Sequence, residues 1–122
     1  VAVDRARSRP VFGASVADKQ GIQWMLADVA TDLEACRLLT YQAAELLEGG
    51  LDATVAAAHA KKFAARAAER GIATCMQTLG AAGFRRAVDN PLPRHLAGAR
   101  IAGYIDGTTE IQNLVIARNL FA

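Results

Sequence analysis

The stretch GIQWMLADVATDLEACRLLTYQAAELLEGG, residues 21–50, decides the fold. Its apolar residues Ile22, Leu26, Val29, Leu33, Cys36, Ala43 and Leu47 recur at spacings of three and four, or of seven across Thr40. That is the period of one helix face, and no apolar run of period two competes with it anywhere in the chain. Ser15-x-x-Asp18 ahead of it has capping-box spacing, and Gly49 with Gly50 supplies a stop. The pattern predicts a helix opened by Ser15 and Asp18 and running to about Glu48.

Working outward, VAVDRARS reads as the tail of a helix, because Pro10 disfavours the helical region for Arg9. PVFGAS is then a loop. Downstream, Asp52 caps a third segment to about Gly80, with Ala56, Ala60, Phe63, Ala67 and Cys75 on a narrow face of small residues. Gly71 inside it costs about 1 kcal/mol relative to alanine, and Gly80 and Gly83 end it. Pro91 and Pro93 bracket a turn before a short helix in PRHLAGARIA. Thr108 caps a last helix carrying Ile111, Leu114, Val115 and Leu120. These elements predict an all-α fold, an antiparallel, up-down-up-down helical bundle.

The 122 residues are of single-domain size, about half are apolar, and the net charge is only +2. Basic residues are scattered among acids, which argues against a nucleic-acid partner. No uncharged apolar run is long enough for a transmembrane helix, and no signal-peptide pattern opens the chain. Cys36 and Cys75 lack CxxC spacing and a nearby histidine, so they read as small core residues in a reducing compartment. His59 and His95 are isolated, which speaks against a metal site. The chain opens in helical composition without methionine, as expected of a single domain over 1–122 truncated in its first helix.

The segment GYIDGTTEIQNL, residues 103–114, carries the chemistry. Asp106 stands before a glycine and two threonines at a helix start, where a helix cap and a catalytic base are both reasonable readings. SRPVFG, KQGIQWMLADVATDLEACRLLTYQAA, QTLGAAGF and ARIAGYIDGTTEIQNLVIARNL, in this order and spacing, resemble the C-terminal helical domain of flavin-dependent acyl-CoA dehydrogenases. The resemblance covers essentially the whole chain.

It implies that an N-terminal helical domain and a central β domain, absent here, complete a usually tetrameric enzyme with FAD between subunits. It implies loss of an α-proton and of a β-hydride from an acyl-CoA, the hydride going to flavin N5, to leave a 2-enoyl-CoA. An electron-transfer flavoprotein is the implied electron acceptor. The implied setting is fatty acid metabolism in the bacterial cytoplasm, or otherwise the mitochondrial matrix. The isolated 122 residues should then be inactive, and their exposed bundle surface should drive self-association.

The resemblance also suggests roles. Arg9 and Phe12 match an Arg and a Phe that contact a neighbouring subunit's FAD, and a guanidinium forks well onto a pyrophosphate. Without the resemblance, Arg9 reads as solvated and Phe12 as a core residue. Gln20 matches a further FAD contact. Gln77, Leu79, Gly80 and Ala81 match the QxLGGxG turn at the ADP part of FAD; Ala81 replaces the second glycine and would crowd it if that position needs a positive φ. Thr108 and Glu110 would face FAD, and Gly107 would let substrate pass close to the backbone.

Asp106 matches the glutamate of IYEGTSEIQ, which removes the substrate α-proton. An apolar pocket would raise its pKa for that work, and its own N–H would help bind the thioester carbonyl. Aspartate is shorter by one methylene, roughly 1.5 Å, and a misplacement of about 1 Å can cost on the order of 10²-fold in rate. Three readings stay open: Asp106 as the base; a base on the first bundle helix, before Val1, as the resemblance implies for some family members; or a non-catalytic subunit that contacts FAD and offers an interface to a separate catalytic subunit. Tyr104 and Ile105 are reversed relative to the family's Ile-Tyr, which should alter the acyl pocket wall.

Overall fold

The computed structural model describes all of residues 1–122. Helix α1 spans Ala2–Ser8, α2 Gln20–Glu48, α3 Thr54–Leu79, α4 Leu92–Ala102 and α5 Thr109–Leu120. Helix α3 is the spine: α1, α2, α4 and α5 all pack on it. Ala58, Ala60, Ala67, Gly71, Met76, Thr78 and Leu79 of α3 are buried. A helix with neighbours around most of its girth needs small residues there, which is why alanine dominates it.

Helix α2 departs from the expected face in an informative way. Its half-buried positions include Ile22, Val29, Cys36 and Ala43, together with Met25, Asp32, Leu39 and Leu46. Each set recurs every seven residues, a 3.5-residue period that winds two helices into a left-handed supercoil. Leu33 and Leu47, expected inside, are 63% and 70% exposed. Leu26 is half-buried as expected, but its column turns outward at Leu33 and Leu47, while Met25, Asp32, Leu39 and Leu46 stay half-buried along the helix. Asp32 in that column pairs with Arg70 of α3 at 2.6 Å.

The helix ends follow the turn chemistry with two corrections. Asp18 Oδ2 accepts from the Ser15 hydroxyl and backbone N–H, each at 2.7 Å. That box opens a 3₁₀ turn at Val16–Asp18, and α2 starts after it at Gln20, with Lys19 as its N-cap and no side-chain cap bond. At the other end Leu51 N–H bonds to Leu46 O at 2.9 Å, with Gly50 at φ +69°, a Schellman closure. Asp52 is not the cap of α3, which is Ala53, but Asp52 Oδ1 accepts from Thr54 N–H at 2.8 Å.

The expected loop PVFGAS is a hairpin: β1 (Pro10–Val11) pairs antiparallel with β2 (Ala14–Ser15). Phe12 and Gly13 take φ +48° and +77°, the two left-handed positions of a tight hairpin turn. Two-residue strands are too short to show a period of two, so no strand signal exists to read. The turn also settles Phe12, which is 97% exposed and no part of the core. In α5, Ile116 is the buried residue, whereas Ile111, Leu114 and Leu120 are exposed. No helix of the chain is long and apolar enough to cross a membrane.

Candidate functional site

The expected site residues gather in two places along α3. The first is its C-terminal end. Arg9, half-buried after α1, donates from Nη1 to Leu79 O at 3.2 Å. Gly80 ends α3 at φ +63°, and a β-carbon there would stand 3.0 Å from Arg9 Nη1. Glycine thus lets the guanidinium lie on the turn. The only other side chain that the turn draws onto its carbonyls is Asn90, discussed below, and Arg9 has no carboxylate partner.

Around this point Gln77 and Ala81 are exposed while Leu79 is buried. Ala81 is not among the residues with positive φ, so its methyl meets no backbone penalty. Besides Gly80 the turn requires Gly83, whose β-carbon would press on the Met76 carbonyl and lie 2.9 Å from Met76 Cα. Asn90, 6% exposed, closes the far side. Its Nδ2 donates to Ala82 O at 3.0 Å, Gly83 O at 3.1 Å and Arg85 O at 2.9 Å. Phe12 at the hairpin tip and Gln20 at the start of α2 are both open to solvent.

The second place is the α4–α5 junction. Asp106 lies there at φ +54° and Gly107 at φ +90°. The cap of α5 is Thr108, whose hydroxyl accepts from Ile111 N–H at 3.4 Å. Asp106 is therefore not the helix cap, and its exposed carboxylate has no hydrogen bond or ion pair within the chain. The expected apolar pocket around it is not built by this chain.

Beside it, α3, α4 and α5 frame a shallow cleft of about 270 Å³, with Arg66, Glu69, Arg100, Tyr104 and Glu110 on its walls. Glu110's own backbone amide, then the Thr108 hydroxyl and the Arg66 charge, hold its carboxyl below the usual carboxylate range. Arg100 ties α4 to α3 through Glu69 at 2.7 Å.

The two places are separate. At about 1.5 Å per residue, α3 from Arg66 beside Glu110 to Gln77 covers roughly 16 Å. Arg9, Gln77, Leu79, Gly80 and Ala81 thus form one group, and Asp106, Gly107, Thr108 and Glu110 another. Gln112, which the sequence reading passed over, belongs to the second: its Nε2 donates to Gly107 O at 3.1 Å.

The donors of the first group suit an elongated phosphate-bearing cofactor such as FAD. A guanidinium unpaired by acid sits on a glycine turn with an exposed amide, Gln77, at its edge.

Comparisons with known proteins place the chain in a family. The family model for the acyl-CoA dehydrogenase C-terminal domain matches residues 1–121. The mitochondrial short-chain specific acyl-CoA dehydrogenase of Bos taurus is 43% identical over 119 residues, 98% of this chain and 28% of that protein. The butyryl-CoA dehydrogenase structure from Megasphaera elsdenii superposes with a TM-score of 0.94 at 34% identity, over 99% of this chain and 31% of that one. The FAD complex of PigA superposes at 0.92 with 29% identity, over 98% and 31%. The chain thus spans less than a third of each of these proteins. By sequence and by fold, it belongs to the acyl-CoA dehydrogenase family, as the C-terminal domain.

Proposed function

We propose that this chain is the C-terminal part of an FAD-dependent acyl-CoA dehydrogenase and that Asp106 is its catalytic base. The observation that carries the reading is the state of Asp106. It is an exposed carboxylate, in a left-handed turn, free of partners and of any capping duty. An exposed acid at positive φ with no partner in the chain fits a functional position.

In the reaction the Asp106 carboxylate takes the α-proton of an acyl-CoA thioester. The Asp106 N–H, unbonded within the chain, is available to the thioester carbonyl, where negative charge develops. FAD, when bound, accepts the β-hydride, and the carbon pair becomes the α,β double bond. Gly107 keeps the backbone slim where the acyl chain passes, and Thr108 and Glu110 face the flavin side. An N-terminal helical domain and a β domain supply the apolar cover that Asp106 lacks here.

The separation of the two residue groups supports an oligomer in which Arg9, Phe12, Gln20 and the Gln77–Ala81 turn hold one FAD while Asp106 serves another. Electrons leave to an electron-transfer flavoprotein. The setting is the cytoplasm of a bacterium or a mitochondrial matrix.

The test is Asp106→Asn in the complete enzyme, with FAD content checked. A general base is worth about 10²–10⁴-fold, so turnover per bound FAD should fall by that much. The second reading, a non-catalytic FAD-contacting subunit of a heteromeric enzyme, draws on the missing methylene of aspartate and on the open setting of its carboxylate. Unchanged turnover in Asp106→Asn removes Asp106 as the base and leaves this reading or a base elsewhere in the complete enzyme.

A further inference from the structure

The Asp106 turn is held at its ends and almost nowhere between. On the α4 side, Tyr104 N–H and Ile105 N–H donate to Ile101 O at 2.8 and 3.3 Å; on the α5 side, Thr109 N–H reaches back to Gly103 O at 3.3 Å. Within that span the amides of Asp106, Gly107 and Thr108 and the carbonyls of Ile105 and Asp106 make no hydrogen bond inside the chain. Two successive residues there have positive φ, which aspartate adopts more readily than most side chains but less readily than glycine. Such a turn relaxes unless something holds it.

One side chain does. Gln112, half-buried one turn into α5, donates from Nε2 to Gly107 O at 3.1 Å. The same nitrogen stands 2.6 Å from where a β-carbon on Gly107 would be, so it packs against the Cα as well as bonding the carbonyl. The backbone of Gln112 is itself anchored, its N–H donating to Thr108 O at 3.0 Å. A rigid helix residue thus fixes the Gly107–Thr108 peptide, one removed from Asp106, and so limits how far the turn that carries the Asp106 side chain can shift.

We propose that Gln112 is the positioning residue for Asp106: its amide clamps the Gly107 carbonyl and keeps the carboxylate aimed at the substrate α-carbon. This rests on Asp106 being the base. The Gln112 amide is engaged with the Gly107 carbonyl, so its effect runs through the turn. A displacement of about 1 Å at the base is enough for a loss on the order of 10²-fold.

The experiment uses the complete FAD-loaded enzyme and an acyl-CoA without β-hydrogens, whose α-hydrogen exchange with D₂O reports proton removal apart from hydride transfer. Gln112→Met keeps the length of the side chain and removes the donor. The expected result is exchange per bound FAD slowed about 10–100-fold, with KM in the full reaction changed less than about threefold and FAD content unchanged. Exchange at the wild-type rate in Gln112→Met, while Asp106→Asn abolishes it, overturns the clamp and leaves the base assignment standing. Exchange that survives Asp106→Asn overturns both. If Gln112→Met fails to assemble with FAD, Gln112→Glu, of the same shape and without a donor when ionised, decides by the same measure.

Discussion

The Arg9 guanidinium occupies the space that a side chain on Gly80 would need: Nη1 donates to Leu79 O at 3.2 Å and lies 3.0 Å from the missing β-carbon. Two changes separate the roles of the pair. Gly80→Ala strains a φ of +63° and pushes the guanidinium away, so it should lower both the melting temperature and the FAD content of the complete enzyme. Arg9→Lys keeps the charge but loses the planar fork, so FAD content should fall with little change in melting temperature. The flavin-to-protein absorbance ratio reads this directly, and full FAD retention in Arg9→Lys would remove Arg9 from the cofactor site.

Gly71, the one glycine of α3, is little constrained. A β-carbon there would meet Val29 Cγ1 at 3.5 Å, an ordinary contact, and nothing nearer. Gly71→Ala should therefore raise stability by about 0.5–1 kcal/mol through helix propensity, read as a higher denaturation midpoint. A lower midpoint would mean that α2 and α3 need a closer approach than this spacing.

Asn90 offers hydrogens to three carbonyl oxygens within 3.1 Å. Asn90→Asp replaces the donor by an oxygen facing oxygens at a site closed to water. The expected cost is about 2–3 kcal/mol, seen as a fall in melting temperature and faster proteolysis between Phe84 and Leu92. A stability equal to wild type would show that the turn holds without the side chain.

Asp18 sets a pH dependence. The Ser15 hydroxyl, and after it the Ser15 backbone N–H, lowers its pKa in the folded chain below the ordinary carboxylate value. A lowered folded pKa contributes stability above the unfolded value, about 3.9, that is lost as pH falls through the folded one. Urea midpoints should drop less steeply below about pH 4 in Asp18→Asn than in wild type, with a constant offset at higher pH. Parallel curves at all pH values would deny the bond to the folded state in solution.

Helix extents were the legible part of the sequence, because Gly49–Gly50, Gly80, Pro91 and Thr108 punctuate strongly. The face of α2 was half legible. Ile22, Val29, Cys36 and Ala43 lie inward as expected, but whether Leu33 or Asp32 joins them depends on the supercoil, which the partner helix imposes. An acid at an inward position also hides from any apolar count until Arg70 is seen beside it. At the site, the motif marks Asp106, but its conformation is a property of the turn. The Gln112 clamp spans the Gly107–Gln112 interval, where no periodic rule points. Asn90 likewise works through three carbonyls, which leave no trace in residue identity.

The crowding at Gly83 has a consequence for how this turn varies by descent. Alanine is one base change from any glycine codon, so Gly80, Ala81 and Gly83 meet the same mutational traffic. At position 81 the methyl is harmless; at 83 it runs into the Met76 backbone, which cannot step aside. Selection on folding alone, with no reference to the cofactor, purges the change at 83 and lets it pass at 81. Ala81 is then a change that folding by itself tolerates.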